Sequence, residues 1–210
     1  MKVIIITYNR HYELQRLLNE VKHYDYHVID DGSDVMPLVE KTRLTRLPHF
    51  GKLGFWRVYN FALAIAKASN HDDYLILPDD VYNVEFDRIK YYHERLKDKR
   101  YFVNTINDGR DRCWSMPQFK AQNIEGLKHT GFFDCGGLTN RNTIESFCLN
   151  PILDSWFKYA GSSGVGAQIT KRMNIDRVPM YTPIKSLVYH GDHESKMHPE
   201  ERKKNKLISK

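Results

Sequence analysis

Two adjacent aspartates, Asp79 and Asp80, directly follow an apolar run, and this placement is typical of a ligand-binding site. Residues 74–77 are uninterruptedly apolar, as is typical of a strand buried on both faces of a parallel sheet. Pro78 favours the end of that strand because proline cannot donate to a sheet ladder. Open α/β sheets bind ligands at such strand ends, and carboxylate oxygens suit Mg²⁺ or Mn²⁺, which suit a diphosphate. We predict a metal and diphosphate site; a surface turn whose aspartates only end a strand is the alternative.

Two further strands end in polar residues. Residues 2–7 form an apolar first strand, and Asn9 in the turn after it is predicted to cap a helix. Residues 26–29 form a second strand that ends in Asp30 and Asp31. The carboxyl ends of parallel strands meet at one edge of a sheet, so we expect the three polar strand ends to converge on one rim.

The spacing of apolar residues predicts the elements that must position these groups. Expected helices cover 14–23, 58–69 and 86–96, and expected strands cover 101–104 and 185–189. The segment 51–54 precedes the second of these helices, and its two glycines allow close backbone approach. The segment 131–137 is predicted to be an irregular, glycine-bent strand or loop, and 161–166 a flexible loop. Alternation of strand and helix through residue 104 implies a parallel sheet with right-handed crossovers. The predicted fold class is therefore α/β, a single domain with a central, mostly parallel mixed sheet flanked by helices.

The composition indicates one globular domain in a reducing compartment. The chain has 210 residues, 41% of them hydrophobic and 28% charged, which is ordinary for one globular domain. No apolar run reaches the roughly 20 residues of a membrane span, and no signal peptide is visible. The three cysteines lack metal-site spacing and fit a reducing compartment, so we expect a cytoplasmic location. The net charge of +6 permits an anionic partner, although no nucleic-acid-binding signature is present.

The order of motifs resembles the glycosyltransferases of the GT-A fold, and the N-terminal half is similar to family 2. The matching segments are VIIITYNR at 3–10, VIDDGSD at 28–34, GKLGFWRVYNFALA at 51–64, LILPDDV at 75–81 and SLVYHGDHESKMHP at 186–199. The resemblance implies a nucleotide-sugar-binding half at 1–104 and an acceptor-binding half at 105–210 that ends in a metal-ligand segment. The size, the missing targeting signals and the charged end also resemble the N-terminal transferase domain of a large chlorella-virus protein, which implies host cytoplasm.

The resemblance assigns nucleotide-binding roles to residues at the predicted rim. The family's uridine-binding turn corresponds to Thr7, Tyr8, Asn9 and Arg10, and its acid that contacts uracil corresponds to Asp31. Arg57 corresponds to the family's arginine that binds a phosphate. Asp79 corresponds to an acid that contacts the ribose, or the metal through water. A carboxylate can accept from the pyrimidine N3–H, and a guanidinium can bind a phosphate bidentately. A solvated charge on an amphipathic helix is the alternative for Arg57.

The metal site departs from the family pattern. Pro78 replaces the first acid of the family's DxD element, and Asp80 aligns with the last acid, the usual direct ligand. A cation with one carboxylate and diphosphate oxygens is short of six ligands, so a further contributor is expected. His190 matches the family's histidine in this segment and favours Mn²⁺ over Mg²⁺; His193 is the alternative.

The implied reaction transfers a sugar from a UDP-sugar, such as UDP-glucose or a similar hexose donor, to a hydroxyl of a glycan or glycoprotein. An inverting enzyme needs a carboxylate near that hydroxyl. The family's acidic pair is missing from the segment 162–166, which leaves Asp134 and Asp154 as candidates and a retaining reaction open.

Three other functions compete with sugar transfer. A nucleotidylyltransferase would carry a glycine-rich loop after its first strand, and the segment 7–13 has no glycine. A non-catalytic nucleotide-sugar-binding module would bind UDP without turnover. A transferase acting on modified DNA would bind DNA with a steep salt dependence.

Overall fold

An eight-stranded mixed sheet forms the centre of the protein in the computed structural model, which describes residues 1–107, 122–133, 136–148 and 165–191. Its strands are β1 (Lys2–Thr7), β2 (Asp25–Asp30), β3 (Leu44–Arg46), β4 (Asp73–Pro78), β6 (Phe102–Asn104), β7 (Leu127–His129), β8 (Gly137–Asn140) and β9 (Met180–Pro183). Their order across the sheet is β3-β2-β1-β4-β8-β6-β9-β7. Strands β3, β2, β1 and β4 run parallel, whereas β8 runs antiparallel to β4 and to β6. The α/β class with a mostly parallel, mixed central sheet is thus confirmed.

A separate two-stranded ribbon and the helices complete the architecture. The ribbon pairs β5 (Val81–Tyr82) with β10 (Tyr189–His190) in antiparallel orientation. The described helices are α1 (His11–Val21), α2 (Gly51–Ala68), α3 (Phe86–Leu96), α4 (Arg141–Cys148) and α5 (Val165–Ile175). Among the residues described, no helix has the length and apolar character needed to cross a bilayer.

Strand β1 is buried on both faces because its side chains alternate between two apolar cores. Ile4 and Ile6 pack into the core that includes residues of α2 and α5, and Val3 and Ile5 pack into the core on the opposite face, with residues of α1 and α3. A side-chain period of two along the strand produces this alternation. Helices on both faces explain why the strand is uninterruptedly apolar.

The parallel register brings the predicted polar strand ends to one edge. Thr7 is level with Asp30 across the β1–β2 pair, and Ile6 is level with Pro78 across the β1–β4 pair. Backbone hydrogen bonds continue past the strands, from Asp31 N to the Thr7 carbonyl at 2.9 Å and from Asp79 N to the Ile6 carbonyl at 3.1 Å. The first residues after β2 and β4 are therefore fixed to β1.

Three local predictions are wrong. Asn9 does not cap α1: it has a left-handed φ of 53°, and its side chain bonds to Asp34 instead. The segment 51–54, expected to precede the second helix, is the first turn of α2, with Gly51 at a φ of 65°. The strand expected at 185–189 contains only Tyr189 and His190 and belongs to the ribbon rather than to the main sheet.

Strands from the two predicted halves of the chain share the main sheet. Strand β8, from the second half, lies between β4 and β6 of the first half. The metal alternative at His193 and the loop residues 161–164 lie outside the described residues.

Candidate functional site

Asp79 joins the end of β4 to the turn after β1. Its Oδ2 accepts a hydrogen bond from Thr7 Oγ1 at 2.7 Å and one from the backbone N–H of Tyr8 at 3.2 Å. Burial raises the pKa of Asp79 to about 7, because these bonds and the nearby charge of Arg10 offset only part of the desolvation. Asp79 is thus a buried acid that fixes the β1–α1 turn.

Asp80 faces two basic side chains. Its Oδ2 contacts the guanidinium of Arg10 and lies 3.1 Å from Nε2 of His190. Burial alone would raise the pKa of Asp80, but the hydrogen bond and charge of His190 together with Arg10 hold it well below its usual range. Arg10 also lies 3.6 Å from Asp79 Oδ1, so one guanidinium serves both acids. Asp80 therefore stays ionised in the folded chain.

The β5–β10 ribbon delivers His190 to Asp80. His190 pairs with Val81, the residue after Asp80, and the N–H of Gly191 donates to the Asp80 carbonyl at 2.8 Å. Nδ1 of His190 lies 2.9 Å from the Gly191 carbonyl oxygen, which can only accept. This contact assigns a proton to Nδ1, so that Nε2 faces Asp80 either with a second proton, which donates to the carboxylate, or with a lone pair, which could bind a cation.

Asp80 and His190 have the chemistry and spacing of a partial metal site. The two acceptor atoms, 3.1 Å apart, need a positive charge between them, either a second proton on the imidazole or a cation. Adjacent ligands of an octahedral cation, each at about 2.1 Å, are themselves about 3 Å apart. Within the described ranges no three His, Cys, Asp or Glu side chains group to hold a metal alone. The pair would supply two ligands to a divalent cation, and the remaining ligands would have to come from a bound substrate and water.

Asp30 closes the turn after β2. Its Oδ1 accepts hydrogen bonds from Ser33 N at 3.0 Å and from Ser33 Oγ at 2.5 Å, and Arg46 Nε lies 3.3 Å from its other oxygen. Ser33 Oγ accepts in turn from the N–H of Asn9 at 2.8 Å. The Asp30 carboxylate therefore ties the β2 turn to the turn after β1.

Asp31 is covered by His49 and Phe50. His49 Nδ1 lies 3.0 Å from the Asp31 carbonyl oxygen and 3.1 Å from Oδ2, and the N–H of Phe50 donates to Oδ1 at 3.2 Å. The His49 ring is stacked on Tyr8, with 4.0 Å between centroids and 6° between planes. Only 2% of the Asp31 side chain is exposed. Burial raises its pKa, with the hydrogen bonds of Phe50 and His49 opposing it.

Arg57 lies beside this group rather than inside it. It is exposed on α2, and its guanidinium lies 5.0 Å from the ring centroid of Phe50 and 5.1 Å from that of Trp56. The stacking keeps a cation next to the Asp31 turn. The predicted phosphate contact of Arg57 stays a prediction.

The structure brings most of the sequence-predicted residues together. Two linked groups form the rim, one with Arg10, Asp79, Asp80 and His190 and one with Tyr8 and Asp31, and Thr7 and Asn9 connect them. Asp134 and Asp154, the candidate catalytic acids, lie outside the described residues.

Sequence reasoning missed two residues of the rim. Ser33 was visible in the DDGSD turn, where a serine three residues after an acid is a common turn partner. His49 gave no signal, because nothing local shows that it reaches back to Asp31, 18 residues earlier in the chain.

No protein-family model and no curated protein sequence matches the chain. Solved structures do match. The chain is similar to A197 from STIV at a TM-score of 0.54 and 12% identity, over 91% of this chain and 85% of that one. It is similar to TarS of S. aureus at a TM-score of 0.58 and 16% identity, over 90% of this chain and 36% of that one.

A third similar structure is GalNAc-T7 with UDP, GalNAc and Mn²⁺, at a TM-score of 0.59 and 14% identity, over 91% of this chain and 44% of that one. The chain thus spans less than half the length of TarS and of GalNAc-T7. The identities are too low to carry function, but the likeness shows that the chain has the fold of GT-A glycosyltransferase structures.

Proposed function

We propose that the chain is a metal-dependent glycosyltransferase that moves a sugar, such as a hexose, from a UDP-sugar to a hydroxyl of a glycan or glycoprotein. The observation that carries the proposal is the convergence of Asp31, Asp80 and His190 at one sheet edge. The shared fold supports it, since GalNAc-T7 with this fold was solved with UDP, GalNAc and Mn²⁺.

The diphosphate end of the donor would lie at Asp80 and His190, which would hold Mn²⁺ or Mg²⁺. The cation supplies Lewis-acid neutralisation of the negative charge that builds on the leaving diphosphate. Arg10 adds a second positive charge, since its guanidinium already contacts Asp80. A guanidinium beside the carboxylate disfavours a cation bound alone, so metal and diphosphate should bind together.

The nucleoside end would lie at the turns after β1 and β2. Asp31 can accept from the N3–H of uracil, and Tyr8 offers a ring face for the base. Thr7 and Asn9 fix the positions of both turns through Asp79 and Ser33. Arg57, in the second turn of α2, is proposed to reach a phosphate.

The catalytic roles of Asp134 and Asp154, the cytoplasmic location and the viral origin stay predictions. An inverting reaction would need one such acid within hydrogen-bond reach of the acceptor hydroxyl, whereas a retaining reaction would not. The stereochemistry of the product distinguishes the two.

Two measurements test the function. We expect UDP release from UDP-hexoses in the presence of Mn²⁺ and an acceptor glycan, and none with a chelator. Calorimetry with UDP, GDP and CMP, with and without Mn²⁺, should show tight binding only of UDP with Mn²⁺, and little binding of Mn²⁺ alone. Binding without turnover would identify a non-catalytic module, and preference for GDP or CMP would overturn the nucleotide assignment. Salt-sensitive binding of DNA would favour a DNA-modifying transferase.

A further inference from the structure

The side chain of His49 makes the two contacts that a pyrimidine base needs at this rim. Its ring is stacked on Tyr8, with centroids 4.0 Å apart and planes 6° from parallel. Its Nδ1 lies 3.1 Å from Asp31 Oδ2. A planar ring that stacks on an aromatic face and presents an N–H to a carboxylate is also a description of uracil bound by these residues.

The hydrogen bonds of His49 fix which ring nitrogen carries the proton. Nδ1 is also 3.0 Å from the Asp31 carbonyl oxygen, which can only accept, so Nδ1 must donate. The imidazole thus offers the same donor that the uracil N3–H would offer. Cytosine has no hydrogen at N3 and lacks this match.

Burial shows that a base cannot reach Asp31 in this arrangement. The Asp31 side chain is 2% exposed, and its two oxygens are capped by His49 Nδ1 and by the N–H of Phe50. The side chain of His49, in contrast, is 38% exposed. The cover over the carboxylate therefore borders solvent on one side.

The backbone of His49 packs closely against the turn after β2. Gly32 has a φ of 73°, and a Cβ at this position would overlap the backbone nitrogen of His49. The turn after β2 and the segment before α2 are thus in tight contact. Rotation of the His49 side chain alone would uncover Oδ2 of Asp31 and leave the N–H of Phe50 on Oδ1.

We infer that the His49 imidazole occupies the nucleobase position in the ligand-free chain, and that the uracil of the donor takes its place on Tyr8 and Asp31. This inference rests on the proposed function, which assigns the nucleotide to this rim. With an internal competitor, the apparent affinity for UDP equals the intrinsic affinity multiplied by the fraction of molecules in which the position is open. A base without an N–H at this position would leave the buried Asp31 carboxylate without a hydrogen-bond donor. The exchange therefore favours a base that donates its own N–H to Asp31.

The test is UDP binding to wild type, to His49→Ala and to the control His23→Ala, whose histidine is exposed beyond the end of α1. Removal of the competitor should tighten UDP binding about tenfold. The same change should lower the melting temperature, because the hydrogen bond to Asp31 and the stack on Tyr8 are lost. Lower stability together with higher affinity is a combination that a purely structural role of His49 does not produce. His23→Ala should match wild type in both.

The outcomes separate the inference from the proposed function. If wild type binds UDP and His49→Ala binds it equally or more weakly, His49 supports the site and the inference fails alone. If neither protein binds UDP, the proposed function fails and the inference with it.

Imidazole NMR of wild type gives a second measurement that needs no folded variant. The carbon-bound ring protons of His49 lie over Tyr8 and should be shielded. On saturation with UDP and Mg²⁺, which is diamagnetic, they should move to the shifts of an exposed histidine. Unchanged shielding in the UDP-bound protein would overturn the inference.

Discussion

The rim contains two aspartate pairs that follow equivalent strands but have different partners. Asp30 and Asp31 follow β2, and Asp79 and Asp80 follow β4, on the two sides of β1. In each pair the first acid is buried and closes a turn, Asp30 through Ser33 and Asp79 through Thr7 and Tyr8. The second acid of each pair faces a basic side chain from a distant segment.

The second acids differ in the charge beside them, and this difference separates their roles. Asp80 lies between Arg10 and His190, which keep it ionised despite burial. Asp31 is capped by one imidazole and one backbone N–H, and burial raises its pKa. The same dipeptide at the same sheet edge therefore provides a fixed negative charge suited to a cation in one place and a hydrogen-bond acceptor suited to a base in the other.

The largest expected effect is on Asp80. Asp80→Asn keeps the shape of the side chain and removes its charge, so the cation loses its carboxylate ligand. The gain in UDP affinity caused by Mn²⁺ should fall at least about 100-fold, or about 3 kcal/mol. Calorimetry with and without Mn²⁺ measures this gain.

The matched control is Asp31→Asn at the other pair. It should weaken UDP binding about tenfold by the same factor with and without Mn²⁺, because it affects the base and not the metal. Equal loss of the Mn²⁺ effect in both variants would show that the two pairs do not have separate roles. A thermal melt of each variant checks the fold, since Asp80→Asn leaves Arg10 with a longer contact to Asp79.

A smaller effect distinguishes the two acids of the β4 pair. Burial raises the pKa of Asp79 from 3.8 to about 7, so between these values the folded chain keeps a proton that the unfolded chain has released. The contribution of Asp79 to stability therefore falls as pH rises through this range. Asp79→Asn removes this dependence, and its unfolding free energy relative to wild type should rise by about 2 kcal/mol from pH 5 to pH 7.

Urea unfolding in the presence of a chelator measures this difference. Asp72→Asn is the control, because this aspartate is exposed in the turn directly before β4. Its difference from wild type should stay constant over that range. A flat curve for Asp79→Asn would contradict the buried, proton-retaining environment of Asp79.

The sequence was sufficient to predict the sheet edge but not all the partners there. Apolar strands that end in acids are local patterns, and parallel pairing fixes where their ends meet, so the positions of Asp31 and Asp80 could be predicted. The contact of Arg10 with Asp80 could not be predicted, because nothing in the sequence of a turn residue next to a helix shows that its side chain reaches across β1 to β4.

Local signals also misled where long-range contacts decided the backbone. Asn9 has the residue type of a helix cap, but its two side-chain hydrogen bonds to Asp34 hold it in a left-handed conformation. Gly51 was expected to precede the helix, yet it begins α2 with a positive φ that glycine adopts without strain. At Asn9 tertiary contacts thus outweighed a local preference.

Asp80 and His190 are proposed to hold a cation against a diphosphate at the rim. Anomalous diffraction at the manganese edge, from crystals grown with UDP and Mn²⁺, tests it directly. We expect a peak about 2.2 Å from an Asp80 carboxylate oxygen and from His190 Nε2, in contact with the diphosphate. UDP bound with manganese on neither side chain, or manganese only at another surface, would contradict it.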